Sequence, residues 1–275
     1  MDERIAALAA ANGWRYEVEG TPPALGAGLW EQVSGGVARD KVAGDGWETG
    51  TITGGERRAS EVKQVGGFTV TTTVSVSTPV RSLRVGYLAM TLPRRLPHLV
   101  LDATSNGREL LQRPSRDQRL SLEGDFDRHF RLYAPSGYER DALYVFTPDL
   151  MALLIDETGD LDVEVRDDRL IVLRPGGFDL TDPATWARFE RIRESVGRKA
   201  WSQTDLYRDD RATLTFERPG AVPDDGAGVV AEGGRRLRRR VPRMVWFGIA
   251  VAAAALVFAA TVLTIVLTQV GRAFG

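Results

Sequence analysis

Cysteine is absent from the 275-residue chain. Disulfides, thiolate metal sites and cysteine nucleophiles are therefore excluded. Histidine is almost absent: His98 and His129 are the only two, too few for a histidine-rich metal centre. Lysine is nearly missing as well, with Lys41, Lys63 and Lys199 the only three among 36 basic residues. That bias toward Arg, with the many Ala and Gly, reads as the codon usage of a GC-rich bacterial genome. Motifs are missing too. There is no G-x4-G-K-[ST] phosphate loop, no G-x-G-x-x-G after a strand, no H-E-x-x-H and no G-x-S-x-G. Nothing in the sequence thus assigns a catalytic, cofactor or metal residue.

Charge of either sign is absent from residues 244–271. What is present there is MVWFGIAVAAAALVFAATVLTIVL, residues 244–267. About 20 apolar residues cross a bilayer core as a helix, and only a helix satisfies its own backbone there. A buried core helix seldom runs so long without a polar face. The run is therefore read as a transmembrane helix, residues 244–268, followed by a short extracytoplasmic tail, 269–275. Trp246 sits near its entry, where an indole suits the headgroup region. Six arginines precede the run: Arg235, Arg236, Arg238, Arg239, Arg240 and Arg243. Only Arg272 follows. The positive-inside rule then places the preceding part in the cytoplasm, as a single-pass, tail-anchored protein of the inner membrane. The six arginines of this juxtamembrane segment, 235–243, either only set topology or also bind anionic headgroups, at about 1 kcal/mol each near the surface. Gly248/Ala252 and Ala255/Ala259 have the spacing of helix pairing, which would make a homo-oligomer through the span. An Ala-rich run also gives such spacings by chance. The start, MDERIAALAAAN, is acidic and short in apolar residues, unlike a secretory signal.

The remainder is acidic. Residues 1–234 hold 29 basic against 37 acidic residues, a net charge of −8. Such a domain repels a phosphate backbone unless it hides a basic patch, so nucleic-acid binding is disfavoured. With 43% hydrophobic and 27% charged residues overall, a collagen-like, wholly disordered or multi-span chain is excluded. Residues 219–234, PGAVPDDGAGVVAEGG, lack periodicity and read as a flexible linker between an α+β domain, residues 1–218, and the anchor.

Patterning predicts a mixed, mainly antiparallel sheet with a few packed helices. A first helix, 3–11, ends at Asn12-Gly13. Alternation predicts strands at 14–18, 47–52, 68–76 and 83–89, with Gly-rich turns between 24 and 46. Short strands are predicted at 99–101 and 143–146, and a return strand at 212–216. Phe126, Phe130 and Tyr133 suit one helical face or a helix running into a strand. Thr147-Pro148-Asp149 and Asp182-Pro183 start helices, each with Pro at the first position. The first turns Leu150, Met151, Leu154 and Ile155 inward, the second Trp186, Phe189 and Ile192. Residues 161–165 and 169–173 read as a hairpin turning at Asp167-Asp168. Strands gathered before the main helices favour antiparallel pairing over βαβ units.

Two strings carry a resemblance. LPRRLPHLVLDATSN, residues 92–106, resembles uncharacterised actinobacterial proteins. The pattern on Phe126, Phe130, Leu132 and Tyr133, followed by Thr147, Pro148, Leu150 and Met151, resembles the bacterial family known as domain of unknown function 3137. The longer match covers residues 122–156, and the two strings together hold 50 residues, under a fifth of the chain. It implies membrane association and imports no catalytic residues.

Four polar groupings hold residue types that carry chemistry elsewhere. Ser60 and Lys63 match Ser-x-x-Lys without its usual companions. Asp156, Asp160, Asp162 and Glu164 do not fit a calcium-loop spacing, and strand alternation aims Asp162 and Glu164 at solvent. Asp125, Asp127 and His129 face water if Phe126 and Phe130 face the core. The run Tyr138, Glu139, Arg140, Asp141 and the lone His98 read as surface turns. Two function classes follow. The first is a non-enzymatic, membrane-tethered module that binds another protein. The second is a membrane-tethered enzyme with a dispersed Asp/Arg site that sequence order hides.

Overall fold

The computed structural model describes residues 2–22, 37–54, 59–65, 68–74, 83–107, 114–122, 124–212 and 229–238. The elements run as follows. Helix α1 is Glu3–Ala11, followed by strands β1 Arg15–Gly20, β2 Val37–Gly44, β3 Trp47–Gly54, β4 Ala59–Val65, β5 Phe68–Val74 and β6 Leu83–Ala103. A 3₁₀ turn, Arg116–Gln118, leads into β7 Arg119–Leu120. Helix α2 Phe126–His129 runs directly into β8 Phe130–Tyr133. Helices α3 Glu139–Val145 and α4 Pro148–Thr158 precede β9 Asp162–Pro175. Helix α5 Pro183–Ile192 continues through a π-helical turn, Arg193–Gly197, into α6 Arg198–Thr204; α7, Glu232–Arg235, is a single turn.

The architecture is α+β with an antiparallel seven-stranded sheet, and the 21-residue β6 is its spine. One edge of β6 pairs with β3 over residues 83–90 and with β8 over 100–103. Its other edge pairs with β9 along almost its whole length. Strands β2 and β1 extend the sheet beyond β3, and β7 extends it beyond β8. The register with β9 shifts between Thr91 and Leu96 and again before Leu99. Pro93 and Pro97 fall in this stretch. Proline donates no ladder hydrogen bond, so the strand bends there instead of ending. Strands β4 and β5 form a separate two-stranded sheet, in register from Val65 opposite Phe68 outward.

Alternation along β6 sends apolar side chains to both faces. Leu88, Met90, Leu92, Leu99 and Leu101 join the larger core, with Ile5 of α1, Leu150 and Leu154 of α4, and Phe189 and Ile192 of α5. Trp14 stacks on Trp186 at 5.3 Å, and Trp47 meets Trp14 edge-on at 5.0 Å, closing one end of that layer. Val85, Tyr87, Ala89 and Val100 face the other way, with Ala38, Ile52, Ile171 and Leu173. Gly86 permits a close crossing. A Cβ there would lie 2.5 Å from the Phe178 backbone nitrogen.

Several sequence expectations hold. Helix α1 starts where expected, with Asp2 accepting from the Arg4 N–H at its N-cap. Helix α4 starts at Pro148, and Asp182 caps α5 through the Ala184 N–H. Phe126 and Phe130 belong to a helix entering a strand, both buried. Others are corrected. Residues 37–44, expected in Gly-rich turns, form β2. The separate strands expected at 83–89 and 99–101 are one strand. The expected hairpin at 161–173 is also one strand, because β6 is long enough to pair with both halves. Asp167, at φ 50°, only kinks it. Residues 143–146, expected as a strand, close helix α3, whose Ala142 and Val145 face the core three residues apart. The return strand expected from 212 falls mostly outside the described residues.

Candidate functional site

Residues 229–238 do not behave as a linker. They lie on the domain as a strap and are held at successive points. The Ala231 N–H donates to Asp209 Oδ2 at 2.9 Å. Gly234 sits under the Tyr138 ring, where a Cβ would be 2.4 Å from Cζ. Arg236 reaches both oxygens of Asp167 at 3.3 and 3.2 Å. The Leu237 N–H donates to His98 Nδ1 at 3.1 Å, and its side chain covers the smaller apolar face of the sheet. Arg238 and Gln118 exchange two hydrogen bonds, at 2.8 and 2.7 Å, and the Ser115 N–H adds a third to the Arg238 carbonyl. Residues 229–238 thus belong to the same compact unit as the domain, while the boundary expected at residue 218 lies outside the described residues.

Under the first half of the strap lies a polar network. Tyr138 donates to Asp209 at 2.8 Å, and Tyr207 donates to Asp141 at 2.7 Å. Arg211 bridges the two acids: it bonds Asp209 at 2.9 Å and Asp141 at 2.7 Å, and also the Gly137 carbonyl at 2.7 Å. Its guanidinium lies 4.2 Å from the Tyr138 ring centroid. Burial pushes the Tyr138 phenol up to about 12, and its bond to Asp209 adds to this. Burial also raises the Tyr207 phenol, with Asp141 next. For Asp209 burial acts upward. The hydrogen bonds from Ala231, Tyr138 and Arg211 together outweigh it, and the carboxyl ends below its usual value.

Under the second half, His98 Nε2 lies 2.7 Å from Glu164 Oε1, and both side chains are buried. Nδ1 accepts from Leu237, so the ring proton is assigned to Nε2, donated to Glu164. Arg166, also buried, places its guanidinium 3.8 Å from Glu164 and from Asp167. Both ring nitrogens of His98 are occupied, and Asp141 and Asp209 accept from several donors. The Tyr138–Asp209–Arg211–Asp141 network is satisfied, and networks of this kind fix packing and register. In the other network Glu164 Oε2 is buried without a hydrogen-bond partner.

His98, Tyr138, Asp141, Asp162 and Glu164, all expected at the surface or facing solvent, are therefore corrected to buried positions. The alternation argument assumed one wet face. Residues 162–166 of β9 are buried on both. Asp162 accepts from the Ala103 N–H at 2.9 Å and from Asn106 at 2.8 Å. Asp160 pairs with Arg188 and stays near the surface. Asp125 is exposed, while Asp127 holds Ser121 and the Leu122 N–H, so this grouping is structural. Ser60 and Lys63 fall in β4. Of the arginines expected at a membrane surface, Arg236 and Arg238 pair with Asp167 and Asp117, and Arg235 stays exposed. Arg239, Arg240, Arg243 and Trp246, with the expected span, lie outside the described residues. Among the described residues no helix is long and apolar enough to cross a membrane. The strap carried a faint signal in sequence: Val229, Val230 and Leu237 are apolar residues inside an otherwise small and polar stretch.

Substituting Gly234 by Val tests the strap. The new methyls meet the Tyr138 ring, and overpacking of this kind costs about 1–3 kcal/mol. The cost cannot exceed the docking energy of the strap, because release is the alternative. Trypsin is expected to cut at Arg235, Arg236 and Arg238 several times faster in the variant. Equal cleavage rates would show that Gly234 does not hold the strap.

No family model matches the chain, and no curated protein matches it. Among solved structures, the crystal structure of the mycobacterial trehalose monomycolate transport factor A, TtfA, is similar. The identity is 14%, over 72% of this chain and 92% of that chain, with a TM-score of 0.43. A likeness of that degree carries no argument about function.

Proposed function

We propose that the protein is a single-pass membrane protein whose α+β domain faces the cytoplasm and acts as a non-enzymatic interaction module. One observation carries the membrane reading: residues 244–271 hold no charge and are preceded by six arginines and followed by one. The saturation of the Tyr138–Asp209–Arg211–Asp141 network supports a binding role over chemistry there. The docked strap sharpens the arrangement. In sequence, five residues, 239–243, lie between the strap and the apolar run. Arg239, Arg240 and Arg243 are then the arginines placed to meet anionic headgroups.

Fractionation tests the reading. The full chain is expected in the membrane pellet through a high-salt wash and in the supernatant only with detergent. A chain ending at Arg238 is expected to lose the pellet. Full-length protein that stays dissolved after ultracentrifugation without detergent would defeat the proposal. A reporter fused after Gly275 checks orientation, since activity of that fusion in the cytoplasm contradicts it.

A further inference from the structure

The strap also closes one side of a cleft of about 660 Å³, at the bend of β6 and β9. Six cations line it: Lys41, Arg95, Arg166, Arg169, Arg235 and Arg236. Three carboxylates join them, Glu48, Asp167 and Asp168. The local charge is +3, and counting Glu164 beside the buried Arg166 still leaves +2. This stands in a part of the chain, residues 1–238, whose 32 basic and 37 acidic residues give a net charge of −5. The cleft is therefore locally positive in an acidic unit.

The pairing inside the cleft shows which cations carry the excess. Lys41 is held by Glu48 at 3.1 Å. Arg236 is held by Asp167, and Arg169 lies 3.6 Å from Asp168. Arg95 and Arg235 are both exposed. Arg235 spends one nitrogen on the Val230 carbonyl at 2.9 Å, a neutral partner. Two exposed guanidiniums thus stand over a floor that holds a third, each with a planar set of donors that matches a phosphate in pairs. A cleft of this volume takes a small molecule or a headgroup. A nucleic-acid backbone would meet the acidic surface beyond the rim, so a single phosphate-bearing group fits better.

We propose that this cleft binds a phosphate group, carried either by a lipid headgroup or by a small soluble phosphate, with Arg95 and Arg235 as its principal ligands. The proposal rests on the described residues alone and does not depend on the membrane reading. If both hold, the arginine collar is divided: Arg235 serves the cleft and the later arginines serve the bilayer.

The test uses the full chain in a non-ionic detergent and two probes, inorganic pyrophosphate and dihexanoyl phosphatidic acid, titrated by calorimetry at low salt. Arg95→Gln with Arg235→Gln is compared with a control pair of equal charge change, Arg4→Gln with Arg198→Gln, both far more exposed than buried. At least one probe is expected to bind. The cleft pair is expected to weaken it about tenfold or more and the control pair less than twofold. Binding of both probes, or of either alone, supports the proposal and identifies the source: phosphate itself, the headgroup or the soluble anion. Binding of neither overturns it. Equal weakening by the two pairs also overturns it, since that reports net charge and not a site. Thermal unfolding of each variant verifies that the fold is intact.

Discussion

Replacing Arg211 by Met is expected to cost about 3 kcal/mol of unfolding free energy. The guanidinium bridges Asp141 and Asp209, whose side chains are 9% and 0% exposed. Removing one member of a buried ion pair costs about 3–5 kcal/mol, because the other charge is left in a poor solvent. Arg211 itself is 42% exposed, so water screens part of its effect and the lower end of that range applies. A loss of this size lowers Tm by about 6–12 °C in a domain of this length. The pH dependence gives the sign. Asp209 sits below its usual value in the folded protein, so its contribution is complete above the unfolded carboxylate range and fades as pH falls through the folded value. Without the Arg211 side chain one of the bonds that hold the carboxyl down is lost, so it moves back upward. The gap between the two proteins should therefore be widest near neutral pH and close below about pH 4. Arg211→Lys should recover only part of it, since one ammonium cannot serve two carboxylates and the Gly137 carbonyl in a plane. A gap that does not change with pH would mean that Arg211 acts through packing on Tyr138 and not through charge.

This network also shows where the sequence could be read and where it could not. Helices α4 and α5 were legible because their starts are local: Pro148 and Asp182-Pro183 act on the backbone within one turn. The mainly antiparallel sheet was legible because alternation in β1, β3 and β5 is a property of each strand alone. Strand β9 was not. Its residues Asp162, Glu164 and Arg166 alternate with the core residues Val163 and Val165 and look like a wet edge, and no local pattern announces their partners some 60 residues away, Ala103 and Asn106 at Asp162 and His98 at Glu164. His98 was lost for the same reason, since its partners are Glu164 and the Leu237 backbone. Asp141 and Tyr138 were read as a surface turn because Asp209, Arg211 and Ala231, which complete them, come 70 to 90 residues later. The candidate cleft was hidden most thoroughly. It draws on five separate stretches of chain, and its cations lie scattered among acids in the sequence.

Asp162 should show the opposite pH behaviour. Burial lifts its carboxyl to about 6, the charge of Asp102 adds to this, and the bonds from Ala103 and Asn106 pull back only part of the way. The folded value lies above the unfolded one, near 3.8, so the folded state holds this proton more tightly. Stability that Asp162 contributes below pH 4 is therefore lost as pH rises through about 6, and the loss then levels off. A shift of about two units corresponds to about 3 kcal/mol. Asp162→Asn removes the ionisation and keeps the oxygen that accepts from Ala103 and Asn106. It also brings a donor to the neighbourhood of Asp102 in place of a second acid. The variant should match the parent at pH 4 and exceed it by about 2–3 kcal/mol at pH 8, or about 4–12 °C in Tm. Subtracting the two stability curves isolates this one group, because Asp160 and Asp209, held below their usual values, titrate lower and cancel in the difference. A flat difference curve would place the Asp162 carboxyl in water and remove the argument that β9 is covered on both faces. A rise centred near pH 6 would fix it inside, where a natural Asp at that cost marks a position held for something other than stability.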